Sequence, residues 1–157
     1  MVAAVFGCVP AVPASASAAV DVPSMDQADI CYGKWWIRTG TDSGAGGNLV
    51  DWVGLGKAGN DETFKTGQWS GSEIQNGRSG ESSYRQGSCD ATEDAAWDRV
   101  RIHYDAGFWN DKWQVVDISL KVARSPGSQD FIKCYRWSGS YWVGDGYREL
   151  TWNSSTC

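Results

Sequence analysis

Two stretches in the second half of the chain alternate apolar and polar residues, and this alternation limits the fold more than any other feature. The apolar positions are Val100, Ile102 and Tyr104 in 97–104, then Val116, Ile118, Leu120 and Val122 in 112–122. The polar positions between them are Arg99, Arg101 and His103, then Asp117, Ser119 and Lys121. A repeat of two residues is that of a β-strand with one buried face and one wet face. Both stretches are therefore predicted to be half-buried strands.

Further short strands separated by Gly-rich turns are predicted in the rest of the chain. They cover 32–39, 48–55, 131–137 and 147–152, with a long turn at 40–47 and less regular strands within 56–88. The one helix candidate is 91–96, where Asp90 or Thr92 caps one or two turns. Seven or eight short antiparallel strands at this spacing predict an all-β sandwich with long Gly-rich loops.

The first 30 residues differ in composition from the rest. Residues 1–18 carry no charge and end in small residues at Ala14, Ala16 and Ala18, which is typical of the end of a secretory signal peptide. A disordered Ala-rich tail is the alternative. Residues 19–30 are predicted to be a flexible N-terminal extension, and 31–157 a single domain.

Cysteine spacing indicates an exported protein. If the leader removes Cys8, the cysteines that remain are Cys31, Cys89, Cys134 and Cys157. No C-x-x-C pair occurs, so two disulfides are more plausible than a zinc site, and three pairings are possible. Cys157 is the final residue, where a disulfide would tie down the C-terminus.

Composition and charge exclude several function classes. Fourteen Lys and Arg against 19 Asp and Glu give a net charge of −5, which argues against nucleic acid as a partner. His103 is the one histidine and lies on a predicted wet face, where a solvated imidazole is expected rather than a general base. Asp90, Glu93 and Asp94 crowd one segment, which a capped helical turn explains more simply than a glycosidase pair. We predict no enzyme, no required cofactor and no transmembrane segment.

Ten tryptophans are more than a core of this size needs. Trp97, Trp113 and Trp137 lie in or beside predicted strands and are expected in the core. Trp35 and Trp36 are adjacent, so a strand points them to opposite faces and leaves at least one outside the core. The aromatic residues predicted off the strands are Trp69, Phe108, Trp109 and Trp142. Such a surface suits sugar stacking, a membrane interface or a protein hot spot, and packing under the loops is the alternative.

Several segments, in order along the chain, resemble the PLAT (LH2) β-sandwich domain. They are 37–50, 97–105 with 113–120, and 131–137, the last with the aromatic Cys-x-x-Trp ending formed by Cys134 and Trp137. The resemblance implies an eight-stranded sandwich that docks lipid or protein, with calcium in the loops of some members.

Calcium is the point at which the sequence departs from that family, because the usual Thr-Asp of the first turn is replaced by Gly47-Asn48. Oxygen ligands for a hard cation remain in two loops. The candidates are Asp42, Asn48, Asp51, Asp105, Asn110 and Asp111. The alternative is that these side chains form Asx turns or face water.

A second resemblance concerns the setting rather than the fold. A small exported domain with an acidic extension and two disulfides is similar to the adaptor subunits of Streptomyces umbrella toxin particles, which link lectins to a scaffold protein. The resemblance implies that the extension is a docking peptide. The predicted partner contacts are Asp21, Val22, Pro23, Met25, Asp26, Asp29, Trp35, Trp36, Trp69, Phe108, Trp109 and Trp142. We therefore expect a secreted, non-catalytic adaptor, with direct glycan or lipid binding as the competing hypothesis.

Overall fold

A computed structural model describes residues 29–59, 61–107 and 111–156, which form two antiparallel β-sheets packed face to face. Sheet A contains β1 (Ile30–Thr39), β5 (Ser79–Glu81), β6 (Arg85–Ser88), β8 (Trp113–Ala123) and β9 (Phe131–Val143). Sheet B contains β2 (Leu49–Gly56), β3 (Glu62–Thr63), β4 (Trp69–Ser70), β7 (Arg99–Asp105) and β10 (Gly146–Thr151). The predicted antiparallel β-sandwich is confirmed. Its described part has ten strands rather than seven or eight, because the 56–88 region contributes very short ones.

The internal strands are β1 and β8 in sheet A and β7 and β2 in sheet B, while β9, the longest strand, lies at the end of the sheet A order. Sheet A runs β5–β1–β8–β9, with β6 also paired to β1, and sheet B runs β10–β7–β2–β3, with β4 also paired to β2. Among the described residues, one α-helix, α1 (Asp90–Glu93), forms a single turn and is shorter than the predicted 91–96, and a short 3-10 helix covers Gly71–Glu73. Among the described residues, no helix has the length and apolar character needed to cross a membrane.

Two tryptophans fill the space between the sheets. Trp35 and Trp113 are fully buried, and each ring N–H has a partner. Trp35 Nε1 donates to the carbonyl oxygen of Phe64 at 2.6 Å, and Trp113 Nε1 donates to Thr39 Oγ1 at 2.9 Å. Burying an indole with its N–H satisfied avoids the cost of an orphaned donor, so both rings are well suited to the core.

A β-bulge corrects the predicted facing of one residue. The pairing of β8 with β9 shifts between Val115 and Asp117, where Val115 faces Tyr141 and Asp117 faces Ser138. Val115 is fully buried and Val116 only partly so, which reverses the predicted inward position of Val116. The same irregularity lets β9 continue past its predicted end at residue 137.

Three other predicted positions are also corrected by burial. Trp97 and Trp137 are partly buried at the edge of the core rather than inside it. Arg101, predicted on a wet face, is only 6% exposed and is ion-paired to Glu62 and Glu149. Charged residues are tolerated at such depth only when they are paired, which explains why alternation alone misjudged this face.

One disulfide joins Cys31 to Cys89, and Cys134 is also disulfide-bonded. Cys157 lies outside the described residues. The first bond connects β1, at the centre of sheet A, to the residue that precedes α1. It therefore anchors the irregular segment between the two sheets to the core.

Candidate functional site

A groove crosses the outer face of sheet A. Alternation along β1 turns Trp35 inward, so its neighbours Lys34 and Trp36 point away from the core. In the strand register, Trp36 lies opposite Ser119 on β8, and Ser119 lies opposite Arg136 on β9. A small serine between two large side chains leaves a depression with Ser119 as its floor.

The groove encloses about 470 Å³, a volume within the range of ligand sites. Its wall combines aromatic rings with long polar side chains. The lining residues are Lys34, Trp35, Trp36, Glu81, Tyr84, Ser119, Lys121, Gln129, Phe131 and Arg136. Only Trp36 of the exposed lining set was predicted from the sequence to contact a partner. The others escaped because sequence does not give the register that places β1, β8 and β9 side by side.

Positive charge predominates along the groove, with three cations to one carboxylate in its lining. Lys34 Nζ lies 2.6 Å from Glu81 Oε2, and the hydrogen bond that Lys34 donates to this carboxylate raises the pKa of Lys34. Arg136 donates to both carboxylate oxygens of Asp117, which is buried beneath it, and this hydrogen bonding raises the pKa of Arg136. The remaining cation, Lys121, lies over the ring of Phe131 at 5.2 Å.

One end of sheet A carries exposed apolar side chains. Phe131 faces Ala123, which in turn faces Tyr32 near the start of β1. Phe131 lines the groove. Ile132, beside it, is 42% exposed, and Ile30 in β1 is 46% exposed. Large aliphatic side chains in water at the end of an aromatic groove are characteristic of a surface that another protein covers.

The aromatic residues predicted to contact partners differ in burial and in position. Trp35 and Trp69 are core residues at 0% and 4% exposure, so the prediction of a surface role for them is corrected. Trp69 forms a short strand paired with β2, which holds it inside. Trp142 is 40% exposed but lies near the far end of β9, opposite Gln114. Phe108 and Trp109 lie outside the described residues.

Of the predicted extension at 19–30, only Asp29 and Ile30 are described, and Ile30 already belongs to β1, so the extension ends one residue earlier than predicted. The carboxylate of Asp29 lies 3.0 Å from Arg124, and its carbonyl oxygen accepts a hydrogen bond from the backbone of Cys89. The other predicted contacts, Asp21, Val22, Pro23, Met25 and Asp26, lie outside the described residues.

The predicted calcium ligands do not converge in the described part of the chain, where no three His, Cys, Asp or Glu side chains form a metal-binding group. Asp42 accepts a hydrogen bond from Gln114, and Asp51 is bonded to His103. Asp105 and Asp111 accept hydrogen bonds from backbone N–H groups two and one positions further along. Asn48 is exposed, its backbone N–H donating to Tyr104, and Asn110 lies outside the described residues. Calcium binding stays a prediction.

His103 is more constrained than a solvated imidazole. Its Nδ1 lies 2.6 Å from Asp51 Oδ2, and its ring stacks on Trp52 at 6.1 Å and packs against Tyr147 at 4.4 Å. Strand pairing explains the cluster, because Trp52, His103 and Tyr147 face one another across β2, β7 and β10. Lys65 also covers the ring of Trp52, at 4.0 Å. Asp51 and His103 are bonded to each other, whereas Tyr147 beside them is 57% exposed.

A second cavity of about 530 Å³ lies beside α1 and contains Glu93, Asp94 and Asp98. Two of these carboxylates are engaged locally. Asp94 accepts a hydrogen bond from the backbone of Ala96, and Asp98 bonds Arg99, which lowers the pKa of Asp98. The acidic segment therefore forms a helical turn, as the simpler of the two sequence interpretations predicted. The predicted capping by Asp90 or Thr92 is wrong, because both lie inside the helix and the N-cap position, Cys89, has no side-chain cap hydrogen bond.

Comparison with known proteins shows the fold of the chain but not its family. No family model and no curated protein matches the sequence. Solved structures of lipoxygenases do match. Two share one deletion; one of them also carries a single substitution and the other is in complex with arachidonate, with 17% and 16% identity and TM-scores of 0.55 and 0.56. Both matches cover 78% of this chain and 16% of the lipoxygenase.

A third match is coral 8R-lipoxygenase, an enzyme with calcium activation via a C2-like domain. It is 18% identical, with a TM-score of 0.53, and the match covers 77% of this chain and 17% of that one. The chain thus spans about a sixth of the lipoxygenases it matches. The part matched is the N-terminal C2-like PLAT domain, so the predicted PLAT-like β-sandwich fold is confirmed.

Proposed function

We propose that this chain is a non-catalytic module that docks another protein through the groove on sheet A. The observation that carries the proposal is the grouping of Trp36, Tyr84 and Arg136 around a depression bordered by exposed aliphatic residues. Trp, Tyr and Arg are the residue types that dominate the binding energy of protein interfaces. Sugar-binding sites use aromatic faces and polar groups, whereas the exposed Ile30 and Ile132 favour a protein surface.

The setting we propose is an extracellular assembly. Disulfides at Cys31–Cys89 and at Cys134 are typical of oxidising compartments. On the sequence resemblance to umbrella toxin adaptors alone, we propose that the protein links two components, a lectin and a scaffold. The sheet A groove is then one contact, and the acidic extension at 21–29 is the other.

The absence of catalysis is part of the proposal. Its support is that the matched region of the lipoxygenases is their C2-like domain rather than their catalytic part. His103 Nδ1 is hydrogen-bonded to Asp51, and among the described residues no serine or cysteine side chain is hydrogen-bonded to this ring as a nucleophile would be.

Partner capture tests this function. The purified protein is immobilised and incubated with secreted proteins of its source, bound proteins are identified, and each is then purified and tested for direct binding. We expect a Trp36→Ala variant to lose one partner and a variant lacking residues 21–28 to lose the other. Folding of each variant is checked by thermal unfolding. Capture of the same purified proteins by both variants would refute the two-contact adaptor.

Direct lipid or glycan binding is the second candidate. It is favoured by Trp142, which is 40% exposed near the loops that hold Asp42. Vesicle sedimentation and glycan array binding, each with and without calcium, test it. Binding of the wild-type protein to vesicles or glycans, with loss of that binding in Trp142→Ala, would support this candidate. No binding of the wild-type protein to either under any condition would exclude it.

A further inference from the structure

Two lysines face each other in the groove. Lys34 on β1 and Lys121 on β8 are directly opposite in the strand register, an arrangement in which like charges repel. Glu81 neutralises Lys34, but none of the described carboxylates lies within ion-pair distance of Lys121. The ammonium of Lys121 has the face of Phe131 as its contact. Among the cations of the groove, the ammonium of Lys121 therefore offers an incoming carboxylate the largest gain in interaction energy.

Arg136 adds a cation of fixed orientation. Its Nε and Nη2 donate to the two oxygens of Asp117, at 3.1 and 2.6 Å. Asp117 is buried while the side chain of Arg136 is 40% exposed, so the carboxylate holds the guanidinium from below. A guanidinium has five N–H donors, and those not directed at Asp117 remain for a ligand. Such pre-organisation lowers the entropic cost of binding a second carboxylate.

We propose that the partner inserts an acidic segment into this groove, with carboxylates beside an aromatic or branched apolar side chain. This inference rests on the proposed docking function and specifies its chemistry. The carboxylates pair with Lys121 and Arg136, while the apolar side chain packs between Trp36 and Phe131.

A peptide is a better occupant than an acidic glycan because of the apolar side chains on this surface. The apolar rim at Ile30 and Ile132 lies beyond the charged groups and gives the flanking residues of a peptide something to cover. The floor lies on β8, an internal strand whose backbone is already paired on both sides. Recognition therefore depends on side chains, and the segment need not add a strand to the sheet.

Fluorescence anisotropy with three probes tests the proposal. The first is a labelled pentapeptide with two glutamates on each side of a tryptophan, the second replaces the glutamates with glutamines, and the third is a labelled oligogalacturonate. We expect the acidic peptide to bind with the highest affinity of the three probes, and we expect that affinity to fall as the salt concentration is raised. Lys121→Glu should weaken it by about tenfold, and Arg136→Lys, which keeps the charge but loses the fork, should weaken it as well.

Lys112→Glu is the matched control, because it makes the same change in net charge at the opposite end of β8 and should leave binding unchanged. Equal binding of the acidic and neutral peptides would overturn the inference, as would an equal effect of Lys112→Glu. Tighter binding of oligogalacturonate than of the acidic peptide would assign the groove to an acidic glycan instead and overturn the peptide.

Failure of this inference is separable from failure of the docking function. If Trp36→Ala abolishes capture of the purified partner while Lys121→Glu does not, the groove docks a protein but not through an acidic segment. If neither variant changes capture, the docking function of the groove is itself refuted.

Discussion

Removing the Cys31–Cys89 disulfide should destabilise the fold by about 4 kcal/mol. The bond closes a loop with a sequence separation of 58 between two buried residues. Restricting a denatured chain over a loop of that size costs it conformational entropy equivalent to about 4 kcal/mol at room temperature. Because domains of this size are stable by about 5–15 kcal/mol in all, the loss is a large share of the total. A double Cys31→Ala/Cys89→Ala variant is the right perturbation, since it leaves no unpaired thiol to exchange.

Urea unfolding followed by tryptophan fluorescence measures the change. Free energies extrapolated to water are compared between the variant and the wild type, together with the urea dependence, which reports the surface exposed on unfolding. We expect a lower midpoint and a steeper dependence, because the uncrosslinked denatured chain is more expanded. A loss below about 1 kcal/mol, with an unchanged slope, would refute the argument that the bond acts on the denatured chain.

Three further outcomes follow from the packing of the chain. Arg101→Met should cost about 3 kcal/mol in the same unfolding assay, because it leaves the half-buried carboxylate of Glu62 without its partner; an unchanged midpoint would contradict this. Burial raises the pKa of Tyr135 from 10.0 to about 12, so the free energy of unfolding should fall as pH rises from about 10 to about 12, and less so in Tyr135→Phe. If the free energy of unfolding fell equally with rising pH in the wild type and in Tyr135→Phe, Tyr135 would not be the source of the alkaline destabilisation. Gly87→Ala should cost about 1–3 kcal/mol, since its Cβ would lie 2.6 Å from the ring of Phe64; normal stability would show that the ring can move aside.

Sequence periodicity predicted the sandwich because alternation survives wherever one face of a strand is buried. The predicted strand at 112–122 lies within one residue of the observed Trp113–Ala123. Prediction failed where packing between strands overrode the local pattern. Val116 was misplaced by a bulge whose cause lies in the pairing with β9, and Arg101 was buried by carboxylates from two other strands.

The groove was less accessible to prediction than the fold. Adjacent Trp35 and Trp36 indicated that one ring would leave the core, and Trp36 does. Its neighbours Ser119 and Arg136 are 83 and 100 positions away along the chain and meet it only through the register of three strands. Strand register cannot be derived from a single sequence, so neither the depression nor its positive charge could be predicted.

The affinity of the purified partner for Trp36→Ala, compared with Trp142→Ala, tests the central claim most directly. Both variants remove one tryptophan from β1 or β9 of sheet A, but only Trp36 lines the groove. Calorimetric titration should show a loss of at least about 2 kcal/mol, or roughly 30-fold in Kd, for Trp36→Ala and no change for Trp142→Ala. Unchanged affinity in Trp36→Ala, with a loss in Trp142→Ala, would move the binding surface to the far end of the sheet and contradict the account.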